Sequence, residues 1–309
     1  MTLVSIITPS YNQAKYLEQT IQSVLNQDYP RLEYIVIDGA SKDGSVDIIK
    51  KYADKLTYWE SKKDKGQADA INKGFAHATG EIIAWLNSDD YYLPGAVRAA
   101  VKVFEENPDV VLVYGDMLAV DENSTTFNTL TYKQLTLEDL FCFQIIGQPA
   151  VFMRRSALQK TSGLDLTFHF LLDHLLWIKI AKQGKILHVS QTWAAARYHA
   201  EAKNVAKAAE FGLEAFRILE TIAQDKDLAK ALLDVDRRAH ASAFRVDARY
   251  LLDGGLPAKA LRQWFRALFI HPPTALTRMN IFVSSVLNIL GLEKLREAVL
   301  ARRKKNLTG

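Results

Sequence analysis

Three carboxylate-bearing stretches of this chain could carry chemistry. Asn87-Ser-Asp-Asp90 places two carboxylates side by side. Adjacent carboxylates repel unless a cation sits between or beside them. A hard divalent ion such as Mg²⁺ or Mn²⁺ takes oxygen ligands of this kind, often completed by substrate phosphates. Spacing alone equally allows a helix N-cap, with one Asp starting a helix at Tyr91-Tyr-Leu-Pro94. Asp38 opens Gly39-Ala-Ser-Lys-Asp-Gly44, whose glycines permit a tight turn and close approach of a ligand to the backbone. Its carboxylate could accept hydrogen bonds from a base or a ribose, or close an Asx-turn. Tyr11, just after Pro9, offers a ring for stacking on a planar base or for packing. Asp173 stands in Phe170-Leu-Leu-Asp-His-Leu-Leu-Trp177. A carboxylate among leucines costs free energy unless it is paired or has a raised pKa. That is the setting of a general base, and equally of a buried helix cap. His174 reads as a packed or solvent-facing histidine. His199, closing Ala196-Arg-Tyr-His199, is a candidate metal or phosphate ligand, against the plainer reading of a packed ring.

The elements that must position these groups alternate. Leu3–Thr8 is a β-branched and apolar run ending at Pro9, and Leu17, Ile21, Val24 and Leu25 then form one helical stripe. Glu33–Ile37 is a second apolar run, and Val46, Ile49 and Ala53 predict the next helix. Glu81–Leu86 reads as another buried strand. Leu93-Pro94 predicts a further helix with Pro94 in its first turn, its stripe being Val97, Ala100, Val101 and Phe104. Val110–Gly115 is one more strand. Consecutive apolar positions in strands separated by helices predict an α/β domain with a mostly parallel central sheet covered on both faces. Ligands in such sheets sit beyond the carboxyl ends of the strands, where Pro9-Ser-Tyr-Asn12, Asp38–Ser41 and Asn87–Asp90 all fall.

The 309 residues, as a soft prior, make about two domains. With 49% hydrophobic and 24% charged residues the chain can bury sizeable cores. A single cysteine, Cys142, excludes an internal disulfide and fits a reducing compartment. The opening residues predict no secretory signal, because no basic region precedes Pro9. The longest apolar run, Met279–Leu292, is shorter than the roughly 20 residues that span a bilayer. The triplets at Asn123 and Asn306 therefore carry no expected glycan. A cytoplasmic location follows, with peripheral association at the cytoplasmic face of the membrane as a candidate. Net charge is +4, unevenly spread: −3 over residues 1–204 and +7 over 205–309. The rear segment is rich in Ala, Leu, Glu, Lys and Arg, without strand-like runs, and reads as helical. Asp253-Gly-Gly-Leu-Pro257 and Pro272-Pro273 punctuate it. An amphipathic helix over Ile281–Leu300, followed by Arg302–Lys305, is a candidate contact for anionic lipids. A lid or scaffold is the alternative. A nucleic-acid partner is not expected, since no aromatic motif interleaves the basic residues. A dinucleotide dehydrogenase is disfavoured because no Gly-x-Gly-x-x-Gly follows the first strand.

Together the motifs resemble glycosyltransferase family 2, inverting nucleotide-sugar transferases of the GT-A type. Val4-Ser-Ile-Ile-Thr-Pro-Ser-Tyr-Asn-Gln13 is similar to that family's first strand and nucleotide loop. Ser23-Val-Leu-Asn-Gln-Asp-Tyr-Pro30 and Tyr34–Ser45 are similar to its next signatures. Asp64-Lys-Gly-Gln-Ala-Asp-Ala-Ile-Asn-Lys-Gly74 and Gly80–Asp90 continue the match in order, and Gln148–Arg155 looks like the acceptor-side strand and turn. The resemblance covers about residues 3–204. It implies a catalytic domain over 1–204 and a helical C-terminal region over 205–309. It further implies that Thr8, Pro9, Tyr11 and Asp38 hold the nucleoside, and that Asp69, Asn72 and Ser88 line the diphosphate and sugar. Asp89 and His199 would meet a Mg²⁺ or Mn²⁺ ion, with Lys203 as a phosphate partner. Asp173 would be the catalytic base. The expected partners are a nucleoside-diphosphate sugar donor and a saccharide or lipid-linked acceptor, in surface polysaccharide or glycoconjugate biosynthesis. A non-catalytic nucleotide-sugar-binding subunit on the same fold is the alternative. Two positions depart from the family pattern: Asn87 replaces the first carboxylate of its metal motif, and Leu175 stands where a second acid often follows the base.

Overall fold

A computed structural model describes residues 1–199 and 208–292, which fall into two compact units. The first holds Met1–Leu140 and Ile145–His199; residues 141–144 group with the second.

The first unit is built on one nine-stranded sheet. Its strands are β1 (Val4–Ser10), β2 (Leu32–Asp38), β3 (Tyr58–Ser61), β4 (Ile82–Trp85), β5 (Tyr91–Tyr92), β6 (Val110–Val120), β7 (Thr126–Leu130), β8 (Val151–Arg154) and β9 (Lys185–Arg197). The order is β3-β2-β1-β4-β8-β6-β9-β5, with β7 paired to β6. Strands β1, β2, β3, β4, β6 and β9 run one way, while β5, β7 and β8 run the other, so the sheet is mostly parallel as expected. All seven residues of β1 are buried, the mark of a strand covered on both faces. Helices α1 (Ala14–Leu25), α2 (Ser45–Lys51), α3 (Gln67–His77) and α4 (Ala96–Glu106) supply cover. Helix α3 lies very close to β1: a Cβ on Gly74 would come 2.3 Å from Ile7 Cγ2, so only glycine fits there.

Register places the chemistry. Ser10 pairs with Asp38, Asp38 with Ser61, and Ile7 with Trp85. The loops after β1, β2 and β4 therefore leave the sheet side by side.

Three expectations are corrected. Pro94 lies outside its helix, which begins at Ala96 behind Gly95 at φ +82°. Tyr91-Tyr92, read as the approach to a helix, is instead a strand paired with Ala195-Ala194. Asp89 and Asp90 thus sit between two strands and cap nothing, which removes the N-cap reading. The helix expected over 281–300 is interrupted as well. It runs Met279–Ile289 and gives way to Gly291 at φ +69°, a left-handed stop of the kind glycine provides. The rest of that stretch and Arg302–Lys305 lie outside the described residues.

Three further helices complete the first unit's chain: α5 (Leu137–Phe141), α6 (Arg155–Leu158) and α7 (Leu172–Ala181). In the second unit, α8 (Ala208–Ala223), α9 (Lys226–Leu233), α10 (Asp236–Asp253), α11 (Pro257–Ile270), α12 (Pro272–Leu276) and α13 (Met279–Ile289) are all helical. Small residues at the contact, including Ala241, Ala248, Ala260 and Ala267, let α10 and α11 pack closely around Trp264. No described helix is long and apolar enough to cross a membrane.

Candidate active site

The loop after β1 is built against the loop after β2. Asn12, at φ 52°, donates its backbone N–H to Ser41 Oγ (2.8 Å), and its Oδ1 accepts from Lys42 N (2.9 Å). Ala40 also takes a left-handed φ of 64°, a costly backbone state for a residue with a Cβ. Asp38 is fully enclosed. Its Oδ2 accepts from Ser41 N (2.9 Å) and Ser61 Oγ (2.7 Å), and Oδ1 from Ser41 Oγ (2.5 Å). The Asx-turn therefore exists, and Asp38 forms the floor of the loop pair. Thr8 is equally enclosed, 3.0 Å from the Tyr34 hydroxyl, and Pro9 is buried. Tyr11 is the open member, 63% exposed. Beside it stands Asp64, which the sequence motif contained but did not single out: a Cβ on Gly39 would meet Asp64 Oδ2 at 2.8 Å and the Tyr11 ring at 3.1 Å.

At the start of α3, Asp69 accepts from Lys65 N (3.0 Å) and pairs with Lys73 (3.1 Å). Backbone and lysine contacts hold its carboxyl below the ordinary value despite the opposing effect of burial, the largest single influence. Asn72 clamps Leu164, donating to its carbonyl (2.8 Å) and accepting from its N–H (2.9 Å).

Asp89 and Asp90 face different surroundings. Asp90 is buried; its Oδ1 accepts from Arg197 N (2.9 Å). Burial first, and then the Asp89 charge, push its carboxyl well above the ordinary carboxylate range, against the pull of Arg197 and Asn87. Asp89 remains accessible, with Oδ2 3.1 Å from His199 Nε2. Ser88 is buried, and its carbonyl accepts from Thr20 Oγ1 (3.0 Å). Arg197 ties the region together. It donates to the carbonyls of Asp89, Asp121 and Glu122 at 3.0 Å each and to Gln19 Oε1 at 2.6 Å. It also stacks over Tyr16, 4.6 Å away. No local pattern singled out this arginine, since its partners come from two loops and helix α1.

Asn87 has its own network. Its Oδ1 accepts from Gln67 Nε2 (2.8 Å), and its Nδ2 donates to Gln148 Oε1 (3.0 Å) and Asp90 Oδ2 (3.3 Å). A carboxylate could not donate these bonds. Among the described residues no cluster of three or more His, Cys, Asp or Glu side chains is arranged around a metal. The Asp89–His199 pair nevertheless fits one. The Asp89 carboxylate and the His199 imidazole, 3.1 Å apart, are the oxygen and nitrogen donors that would hold such an ion. Lys203 lies outside the described residues.

Asp173 occupies the first turn of α7 and is half-buried, with Oδ1 2.8 Å from His174 N. The apolar stretch around it is core: Leu172, Leu175, Leu176, Trp177 and Ile178 are buried, and Trp177 stacks on Trp85 at 5.0 Å. An acid at Leu175 would face that core. His174 is packed, its Nε2 2.8 Å from the Leu140 carbonyl, and burial brings its pKa down to about 4. Tyr132 stands between β7 and α5 in the chain. Burial raises its phenol, and the charges of Tyr198, Asp116 and Asp173 add to the shift. Behind it, Asp116 accepts from Tyr132 N (2.9 Å) and lies 2.8 Å from His188 Nε2.

Similarity to known proteins follows this architecture. A family model described as glycosyl transferase family 2 matches residues 5–161. A protein of Rickettsia typhi named an uncharacterized glycosyltransferase is 29% identical over 205 residues, covering 64% of this chain. The match spans 64% of that relative's length. Among solved structures, residues 1–349 of Staphylococcus aureus TarS in complex with UDP-GlcNAc superpose with a TM-score of 0.62 at 18% identity, covering 97% of this chain and 92% of that one. The mannosyltransferase PcManGT of Pyrobaculum calidifontis, in complex with GDP-Man and Mn²⁺, superposes with a TM-score of 0.61 at 22% identity, covering 94% and 87%. The fold is that of GT-A glycosyltransferases. With ordered motifs from the first strand to Gln148–Arg155, and a family match over half its length, this chain belongs to glycosyltransferase family 2.

Proposed function

We propose that this protein transfers a sugar from a nucleoside-diphosphate sugar to a hydroxyl of a saccharide or lipid-linked acceptor, inverting the anomeric centre. The observation that carries the reading is the Asp89–His199 pair, joined 110 residues apart in sequence at the strand ends beside the loops after β1 and β2. Residues 1–204 act as the catalytic domain in this reading, at the cytoplasmic side, in surface polysaccharide or glycoconjugate assembly. The TarS complex with UDP-GlcNAc and the PcManGT complex with GDP-Man and Mn²⁺ support a donor of this class.

Tyr11 offers its exposed ring to the base, while Thr8, Pro9 and Asp38 fix the loop beneath. Asp69, Asn72 and Ser88 shape the diphosphate and sugar side. Asp89 and His199 would hold Mg²⁺ or Mn²⁺, which when bound stabilises negative charge on the departing diphosphate. Asp173 accepts the proton of the acceptor hydroxyl as that oxygen attacks the anomeric carbon. The new carbon–oxygen bond forms opposite the breaking one, through an oxocarbenium-like transition state, and configuration inverts. A thermal-shift screen of nucleoside diphosphates and their sugars with Mn²⁺ tests donor recognition, since only ligands favouring the folded state raise the melting point. A selective rise identifies the donor, and melting points unchanged by every nucleotide reject the reading.

A further inference from the structure

The second unit exposes an apolar face that glycosyl transfer does not use. On α11, Ala258, Leu261, Arg262, Phe265, Arg266 and Phe269 line one shallow groove, their spacing of three and four marking one side of the helix. Phe269 is 81% exposed and Phe265 38%. Single exposed apolar residues are ordinary, but a stripe of them calls for a partner. Helix α13 continues the character, with Met279 and Val283 exposed, as is Leu290 just beyond it.

Charge selects the partner. From Gly254 to Leu292 the sequence holds Lys259, Arg262, Arg266 and Arg278 and not one Asp or Glu. Among the described residues Lys259 and Arg262 form no ion pair, whereas Arg266 donates to Gln263 Oε1 (3.0 Å), stacks over Phe244 (5.6 Å) and acts on the buried Asp247 carboxylate. A stretch without acids that also exposes phenylalanines is complementary to an anionic apolar boundary. A helix with aromatic and cationic side chains on one exposed side lies flat in the headgroup layer of an anionic bilayer. There the arginines meet lipid phosphates while the rings enter the acyl boundary.

We propose that the α11 face of the second unit, centred on Phe265, Phe269, Arg262 and Arg266, docks on anionic phospholipid. The surface differs from the 281–300 segment singled out by sequence alone, and its assignment does not depend on the sugar-transfer reading.

Co-sedimentation of the full chain tests it, using vesicles of equal parts phosphatidylglycerol and phosphatidylcholine against phosphatidylcholine alone. Phe269→Ser and Arg262→Glu alter exposed side chains and leave the Trp264 core untouched. Wild type is expected to pellet with the anionic vesicles and, at most, weakly with the neutral ones. Each variant should lose about five-fold or more of that binding, with unchanged melting temperature. Equal pelleting with both vesicle types overturns the proposal. So does wild-type binding in both variants, as would follow if a full-chain variant with Arg302, Arg303, Lys304 and Lys305 changed to Gln alone lost binding. A dimer in solution that Phe269→Ser dissociates, without vesicle binding by the wild type, reassigns the face to self-association and equally overturns it.

Discussion

Asp89 Oδ2 and His199 Nε2 stand 3.1 Å apart, one just beyond β4 and the other just beyond β9. The neighbouring Asp90 is turned inward onto Arg197 N, so the two adjacent acids have separate jobs. One is enclosed and holds the ends of two strands together; the other stays available. If the available pair holds a divalent ion, Asp89→Ala and His199→Gln should each weaken Mn²⁺ binding by about ten-fold or more, since even residues behind metal ligands cost that much when removed. Titration of Mn²⁺ in the presence of nucleoside diphosphate measures it. Binding curves that superpose on wild type remove both residues from a metal site.

Asn87 fills the position of a family carboxylate, yet its amide donates to Gln148 and Asp90. Asn87→Asp would lose both donated bonds and set a third carboxylate beside Asp89 and Asp90. A loss of about 1–3 kcal/mol at neutral pH is expected, because buried acceptors are left unmatched. The penalty should shrink in mild acid, where protonation relieves repulsion among the carboxyls. Urea unfolding at two pH values reads both effects, and a variant as stable as wild type at neutral pH contradicts the donor role.

His174 makes stability depend on pH. Unfolded, it titrates near 6.5; folded, burial brings it to about 4. Between these values the unfolded chain binds the extra proton. Its contribution is therefore fully present above about pH 6.5 and is lost as pH falls towards 4. The loss between pH 7 and pH 5 amounts to about 2 kcal/mol. His174→Gln retains a donor for the Leu140 carbonyl but cannot gain a proton. Its stability should fall less over that interval than the wild type's, by about the same amount. Parallel pH profiles for the two proteins would show that His174 does not titrate on unfolding.

Much of this was legible beforehand, for identifiable reasons. Strands β1, β2, β4 and β6 announce themselves because burial on both faces demands consecutive apolar residues. Strands β3 and β5 do not: Tyr58-Trp-Glu-Ser61 is half-buried throughout, and Tyr91-Tyr92 is two residues long. The polar residues at the strand ends were found because topology puts ligands there. Arg197, Gln148 and the Asp116–His188 pair were not, since each gains its meaning from partners between 61 and 178 residues away. Asp173 looked like an acid immersed in leucines. In space the leucines turn into the core and the carboxylate remains at the first turn of α7, half-open, because helical spacing separates neighbours in sequence.

That placement decides how Asp173 should behave as a base. The half-buried carboxylate sits in the first turn of α7 and not among the buried leucines, as a group that meets substrate must. Asp173→Asn keeps the side chain's shape, and the proposed reading assigns donor contacts to Tyr11, Asp69 and Asp89 instead. Turnover should fall by about 10²- to 10⁴-fold, the usual worth of a general base, while donor affinity stays within about two-fold. Single-turnover transfer measured beside donor binding separates the two quantities. Near wild-type turnover in Asp173→Asn would assign proton removal to another group, whereas a matched loss of donor affinity would place Asp173 in binding and not in the chemical step.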